Sequence, residues 1–301
     1  MAVHLIASPL RLRRRDNRFA YWIILPAVAG LVLFQYYPVL QALAGSFQSF
    51  NPFTHAAGGF VGLDNYHALL ADPQFRRAVL NSLLYIAAMI VVEVPLGMLL
   101  AQLINRRIAG SAVLRTTVIA ALAASETVAI LIWNQMFSPN SGVLNALLNA
   151  VGLPSQPFTT SPHQALLSLV AISVWKDLGL PTLIFLAGLQ SVPTEVYEAA
   201  SLDGASERRT FLSITVPLLR RSTAVAVFMA TVTGSRVFTS ILLITQGGPN
   251  DSTRNLIYYS YQQGFQYSAY GTAYAATICM LVLLGLVTAA QLFFLREKDS
   301  A

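Results

Sequence analysis

Six segments of this chain are long and apolar enough to cross a lipid bilayer, and that repetition restricts the fold more than any other feature. A spanning helix needs about 20 mostly apolar residues to traverse a hydrocarbon core of roughly 30 Å. The segments run over residues 19–44, 79–104, 113–137, 164–189, 218–244 and 269–295. Only 11% of the 301 residues are charged and the mean hydropathy is +0.59. A soluble domain carries roughly 25% charge, so this chain has too little polar surface to coat a water-soluble globule. The expectation is an all-α polytopic membrane protein with six transmembrane helices. Pro26, Pro38, Pro95, Gly97, Gly179 and Pro181 interrupt the apolar segments. They would argue against helix interiors in water, but neighbouring helices in a bundle can satisfy the freed backbone groups.

Charge fixes the expected orientation. With the N-terminus inside, fourteen of the nineteen basic residues fall on cytoplasmic pieces: Arg11, Arg13, Arg14, Arg15, Arg18, Arg106, Arg107, Arg115, Arg208, Arg209, Arg220, Arg221, Arg296 and Lys298. Three fall outside, at Arg76, Arg77 and Arg254, while Lys176 and Arg236 lie in or near spans. Excess Lys and Arg mark the cytoplasmic side, so both termini are expected inside. These short basic runs form no single cationic face, which excludes nucleic acid as the partner of the +6 net charge. Ala42-Leu43-Ala44 resembles a signal cleavage site. The apolar stretch before it exceeds a cleavable core of about 7–15 residues, so it reads as a retained first span.

The expected organisation is a cytoplasmic tail at 1–18, a first span with its outer loop at 19–75, a transmembrane domain at 76–295 with a cytoplasmic loop at 191–217, and a tail at 296–301. The outer loop at 47–75 carries turn signals at Asn51-Pro52, Gly58-Gly59 and Asp72-Pro73; the loop at 138–163 has room for a short helix at 143–150.

The loop between spans four and five is the most informative. Pro193-Thr194 followed by Glu195 and Glu198 is a helix start, with acidic side chains where the macrodipole favours them. Gly204 permits a left-handed turn, Arg208 and Arg209 open a second helical run, and Pro217 precedes the next span. The product is a helix–turn–helix knob at the inner membrane surface.

Glu198-Ala199-Ala200, then Gly204 four positions on, then Ile214-Thr215-Val216-Pro217, resembles the signature of binding-protein-dependent ABC importer permeases. In that family the loop is the coupling helix that docks on a cytoplasmic ATPase, so the resemblance assigns coupling to Glu198, Ala199, Ala200, Asp203, Gly204, Ile214 and Pro217. The outer-loop run Thr245-Gln246-Gly247-Gly248-Pro249, with Ser252-Thr253, Leu256, Tyr258-Tyr259, Tyr261, Phe265, Gly271 and Ala273, is similar to carbohydrate-uptake permeases of the maltose, trehalose and glycerol-3-phosphate type. Val61-Gly62-Leu63-Asp64-Asn65-Tyr66 and Val174-Trp175-Lys176 agree, and the likeness points to the first-named permease of a two-permease pair. It implies a type I importer fold in a bacterial inner membrane. It implies a second homologous permease, two ABC ATPase subunits and an external solute-binding protein. It also implies ATP and magnesium used by the partner ATPases, with no cofactor in this chain. The chain departs from the family at Val216, at Ala120-Ala121-Leu122-Ala123 and at Thr239, where relatives have a leucine, a Leu-Pro and an acidic residue. The last two places can face the solute.

A phosphate-cradling loop needs Gly-x-x-x-x-Gly-Lys-Ser/Thr, and the only lysines, Lys176 and Lys298, follow no such pattern. ATP hydrolysis is therefore expected elsewhere. His4, His55, His67 and His163 are scattered and no Gly-x-Ser-x-Gly occurs, which removes metal and nucleophile chemistry. A secondary transporter is the alternative, but it would need paired halves and its own ion site. Polar residues within spans are costly and mark interior or water-facing positions. Glu93, Glu126, Lys176, Asp177, Arg236 and Thr239 are thus the solute-path candidates. Lys176 and Asp177, being adjacent, are expected to point apart on a helix. Glu93 suits either a hydrogen bond between helices or the solute. Arg236 suits either a phosphate, through its bidentate fork, or an ion pair with another subunit. Tyr258, Tyr259, Tyr261, Phe265 and Tyr267 are expected to anchor at the membrane interface rather than stack on sugar.

Overall fold

The computed structural model describes residues 17–106 and 110–296. Of the expected tails at 1–18 and 296–301, residues 1–16 and 297–301, with Arg11, Arg13, Arg14, Arg15 and Lys298, lie outside the described residues, as does Arg107. So do the side chains of Arg18 and Arg296.

Where no water competes, backbone polar groups must pair within the chain, and helices do this most directly. Among the described residues, three apolar segments form helices long enough to span without a break: Tyr21–Gly45, Pro73–Asn105 and Tyr270–Phe293. The first comprises α1 (Asn17–Leu31) and α2 (Tyr37–Gly45), joined by a wide turn at Val32–Tyr36. None of its most apolar stretch is buried against the rest of the chain. The other three apolar segments are bent pairs. α5 (Ser111–Ala123) meets α6 (Glu126–Met136) at 106°, and α8 (Ala165–Asp177) meets α9 (Gly179–Gln190) at 49°. The run Glu207–Leu218 meets α13 (Arg220–Ser235) at 71°. The segments expected as single spans over 113–137, 164–189 and 218–244 are therefore each interrupted. The last also stops short, because α13 ends at Ser235 and the chain loosens before a wide turn at Ile241–Thr245.

The chain is not wholly helical. Between α2 and α3 (Asp64–Ala71), strands β1 (Gln48–Phe50) and β2 (Ala57–Phe60) pair antiparallel, Gln48 opposite Phe60 and Phe50 opposite Ala57. The Asn51 carboxamide accepts from the Phe53 and Thr54 amides, fixing the turn that the Asn-Pro signal marked.

Helix α4 (Pro73–Asn105) is the axis of the bundle and packs against α8, α9 and α13. It starts where the Asp72 carboxylate accepts from the Gln74 amide at 2.8 Å, with Pro73 at the first position. It runs unbroken through Pro95. At Gly97 a Cβ would lie 3.0 Å from the Pro181 side chain, so the absence of one lets α4 and α9 approach closely. The short helix α7 (Val143–Ala150) stands in the 138–163 loop where the sequence placed it.

Candidate functional site

Two places gather the functional candidates, and α9 and α13 run between them. The first is a cavity of about 220 Å³ at the breaks of the bent helices, lined among others by Glu126, Ser173, Lys176, Asp177, Thr233 and Arg236. Its walls come from the start of α6, the end of α8 and the end of α13. Four of the expected path residues, Glu126, Lys176, Asp177 and Arg236, are brought together there. Glu93 and Thr239 stand apart. Glu93 on α4 is only 2% exposed, packed inside the bundle, and its Oε2 has no hydrogen-bond partner among the described residues. Thr239 is half-buried just beyond Arg236 without lining the cavity.

Lys176 and Asp177, adjacent in the last turn of α8, both line the cavity. Ser173 is one turn before Asp177, and its Oγ lies 2.8 Å from the Tyr85 hydroxyl, which also donates to the Leu169 carbonyl at 2.9 Å. Ser173, Thr233 and Ser240 were not singled out in the sequence, because small hydroxyl residues are unremarkable in apolar helices.

The second place is the knob at 191–217. Helix α10 (Thr194–Leu202) begins after Pro193 with Glu195 in its first turn. Asp203 ends it, and Gly204 follows at φ +69. The Gly204 amide donates to the Ser201 carbonyl at 3.1 Å and the Ala205 amide to the Ala200 carbonyl at 3.0 Å. That pair of bonds is the Schellman closure, with glycine in the left-handed position that it requires. The Ser206 hydroxyl then accepts from the Arg209 amide, capping α11 (Glu207–Thr210), and a wide turn leads to α12 (Val216–Leu218). Glu198, Ala199, Asp203, Gly204 and Pro217 are exposed, Ile214 is half-covered and Ala200 is buried. Leu202, 89% exposed at the tip, was missed; a lone leucine among polar residues was its signal. Arg106 at the end of α4 pairs with Glu207 at 3.0 Å. Both are solvated, so the pair is worth at most about 1 kcal/mol.

On the opposite side, the Gly247-Gly248-Pro249 loop folds back onto the start of α4. Gly247 has φ +84, and Thr253 Oγ1 donates to the Gly248 carbonyl at 2.8 Å. Asn81 on α4 donates through Nδ2 to the Asp251 and Arg254 carbonyls at 2.7 and 2.8 Å. Arg254, placed by the sequence on an outer piece, is buried; it pairs with Asp251 at 2.7 Å and donates to Gln262. Tyr258 and Tyr259 on α14 (Leu256–Tyr261) are core residues rather than interface anchors, at 2% and 1% exposure. The Tyr259 hydroxyl donates to Asp72 at 2.6 Å, and burial together with that carboxylate raises the phenol above its usual range. Phe265 and Tyr267 remain exposed. Arg254→Met should lower the melting temperature of the purified chain by several degrees. The lost charge-assisted bonds are worth about 1–3 kcal/mol, and an unchanged thermal transition would show that the pair carries no stability.

A sequence profile described as "Binding-protein-dependent transport system inner membrane component" matches residues 93–298, which include the cavity and the knob. The chain belongs to that family. It is a multi-pass inner-membrane permease of an ABC transport system. Over 287 residues it is 31% identical to the multiple sugar-binding transport system permease protein MsmF of Streptococcus mutans, covering 94% of this chain and 97% of the relative. It is 32% identical to the sn-glycerol-3-phosphate transport system permease protein UgpA of Agrobacterium fabrum, covering 92% and 94%. Among solved structures, a chain of a bacterial alginate ABC transporter in complex with an alginate pentasaccharide-bound periplasmic protein superposes with a TM-score of 0.80. It is 25% identical and covers 95% of this permease and 98% of that chain.

Proposed function

We propose that this permease crosses the membrane six times with both termini in the cytoplasm, each bent pair counting as one span. In this reading it forms, with a second homologous permease, the path for a sugar or glycerol-phosphate-type solute. An external binding protein delivers the solute. Two ATPase subunits consume ATP and magnesium at the inner face, and the permease itself hydrolyses nothing. The relatives support the solute class, since one is named for multiple sugars and another for sn-glycerol 3-phosphate. The alginate importer, with its periplasmic protein, supports delivery from outside. The exposed first span, apolar from Tyr21 to Leu40, offers a face to the second permease or to lipid.

The observation that carries the coupling role is the connection of the knob to the cavity. α9 has 12 residues, about 18 Å of helix, and runs from the Asp177 wall to the knob. α13 has 16 residues, about 24 Å, and returns from the knob to the Arg236 wall. A displacement of α10 by a bound ATPase therefore reaches two walls of the cavity along rigid elements. Nucleotide binding then needs only a different affinity for the two arrangements to drive alternating access. Glu198, Asp203, Gly204 and Leu202 are the docking residues in this scheme, with Ala199, Ala200, Ile214 and Pro217 shaping the knob. Arg236, Glu126, Lys176 and Asp177 build the path, and Gly247, Gly248 and Pro249 shape its outer rim.

The test is sidedness together with association. In a Cys279→Ala background, Leu202→Cys should react with a membrane-impermeant maleimide only from the cytoplasmic side, and bound ATPase should protect it. Labelling from outside, or no ATPase retained on purification, would remove the proposal.

A further inference from the structure

Four charged side chains line the cavity, but one of them is already engaged. Lys176 Nζ donates to the Leu122 carbonyl at 3.0 Å, 54 residues away in sequence. Among the described residues, Glu126, Asp177 and Arg236 make no side-chain hydrogen bond.

The acceptor's position explains the contact. α5 stops at Ala123, and the chain passes through Ala124 and Ser125 before α6 sets off at 106°. The break contains neither proline nor glycine. The last carbonyls of a helix lack intrahelical donors, and together they form its negative end. Leu122 lies in that last turn, so a lysine ammonium there both donates a hydrogen bond and compensates the dipole. A second contact reaches the same residue. A Cβ at Gly179, the first residue of α9, would lie 2.7 Å from Leu122 Cδ1 and 2.8 Å from the Val118 carbonyl. The break between α8 and α9 therefore presses directly on the break between α5 and α6, and only a glycine fits between them.

We propose that Lys176 is a positioning residue that clamps these two helix breaks together, leaving solute reading to Arg236, Glu126 and Asp177. The clamp fixes the separation of two cavity walls, since α6 carries Glu126, Ala129 and Ile130 while α8 carries Ser173 and Asp177. The assignment of the three remaining groups to solute rests on the importer reading above; the clamp itself does not. It also requires a small residue at 179 for a reason unrelated to solute.

The experiment is a distance measurement that needs no solute. Spin labels are placed at Thr116→Cys on α5 and Asn134→Cys on α6, both exposed, in a Cys279→Ala background of the full chain in lipid nanodiscs. Wild-type Lys176 should give a narrow distance distribution. Lys176→Met should broaden it or move it by several ångströms, and Lys176→Arg should restore it, since guanidinium can also reach a carbonyl. Gly179→Val, with Lys176 intact, should displace the elbow in the same way, which keeps the test decisive if the methionine variant is poorly recovered. Distributions for Lys176→Met or Gly179→Val that superpose on wild type would overturn the proposal. A chain that failed to bind an ATPase would sink the importer reading and leave this distance test intact.

Discussion

Replacing Gly204 with valine is expected to abolish solute-stimulated ATP hydrolysis while the permease still inserts and assembles. At φ +69 the backbone of Gly204 lies in the left-handed region, where an ordinary side chain costs about 1–2 kcal/mol and a β-branched one more. Nothing lies within 4 Å of a Cβ added there, so the effect comes from the backbone alone and not from a clash. The chain can escape the strain by opening the closure in which the Gly204 and Ala205 amides reach the Ser201 and Ala200 carbonyls. Opening it frays the end of α10 and swings exposed Leu202 away from its place at the tip. A shift of about 1.4 kcal/mol changes the populations roughly tenfold, so coupled turnover should fall at least that far. Gly204→Asn is the control, because asparagine tolerates this conformation better than other side chains. ATPase rates of reconstituted complexes, normalised to permease content, decide the matter. A valine variant with wild-type coupling would show that α10 does not transmit force through its closed end.

The parts of this molecule that were readable in advance are those whose causes are local. Pro193, Glu195 and Gly204 define a helix and a turn within twelve residues, and the structure uses each of them in that way. The apolar segments were readable because the bilayer imposes their length. The breaks were not. The 106° bend after Ala123 has no proline or glycine to announce it; the ammonium of Lys176 and the missing side chain of Gly179, both more than fifty residues on, accommodate it. Arg254 looked like an outward-facing charge because its loop is tied down on α4 by Asn81, 173 positions earlier, whose carboxamide donates to the Arg254 carbonyl. The hairpin at Gln48–Phe50 was seen only as turn residues, its strands being too short to show alternation.

The identity of the solute turns on Arg236, and Arg236→Gln should separate the two classes that the relatives represent. The guanidinium is exposed to the cavity, immediately after Ser235 ends α13. A phosphate would accept two parallel hydrogen bonds from its planar fork, which a neutral sugar hydroxyl cannot match in charge. Bonds to a charged group contribute about 1.5–3 kcal/mol, so the variant should raise KM for a phosphate-bearing solute by roughly ten- to hundredfold. A neutral sugar should lose little, since in this scheme Glu126 and Asp177 would accept from its hydroxyls. Arg236→Lys keeps the charge without the fork and should fall between. The competing role, an ion pair with the second permease, predicts another pattern: assembly or maximal velocity would drop for every solute alike, with KM unchanged. Uptake of glycerol 3-phosphate and of maltose into vesicles bearing each variant distinguishes the cases. Equal losses for both solutes would assign Arg236 to the subunit interface and leave the anion without a reader in this half of the path.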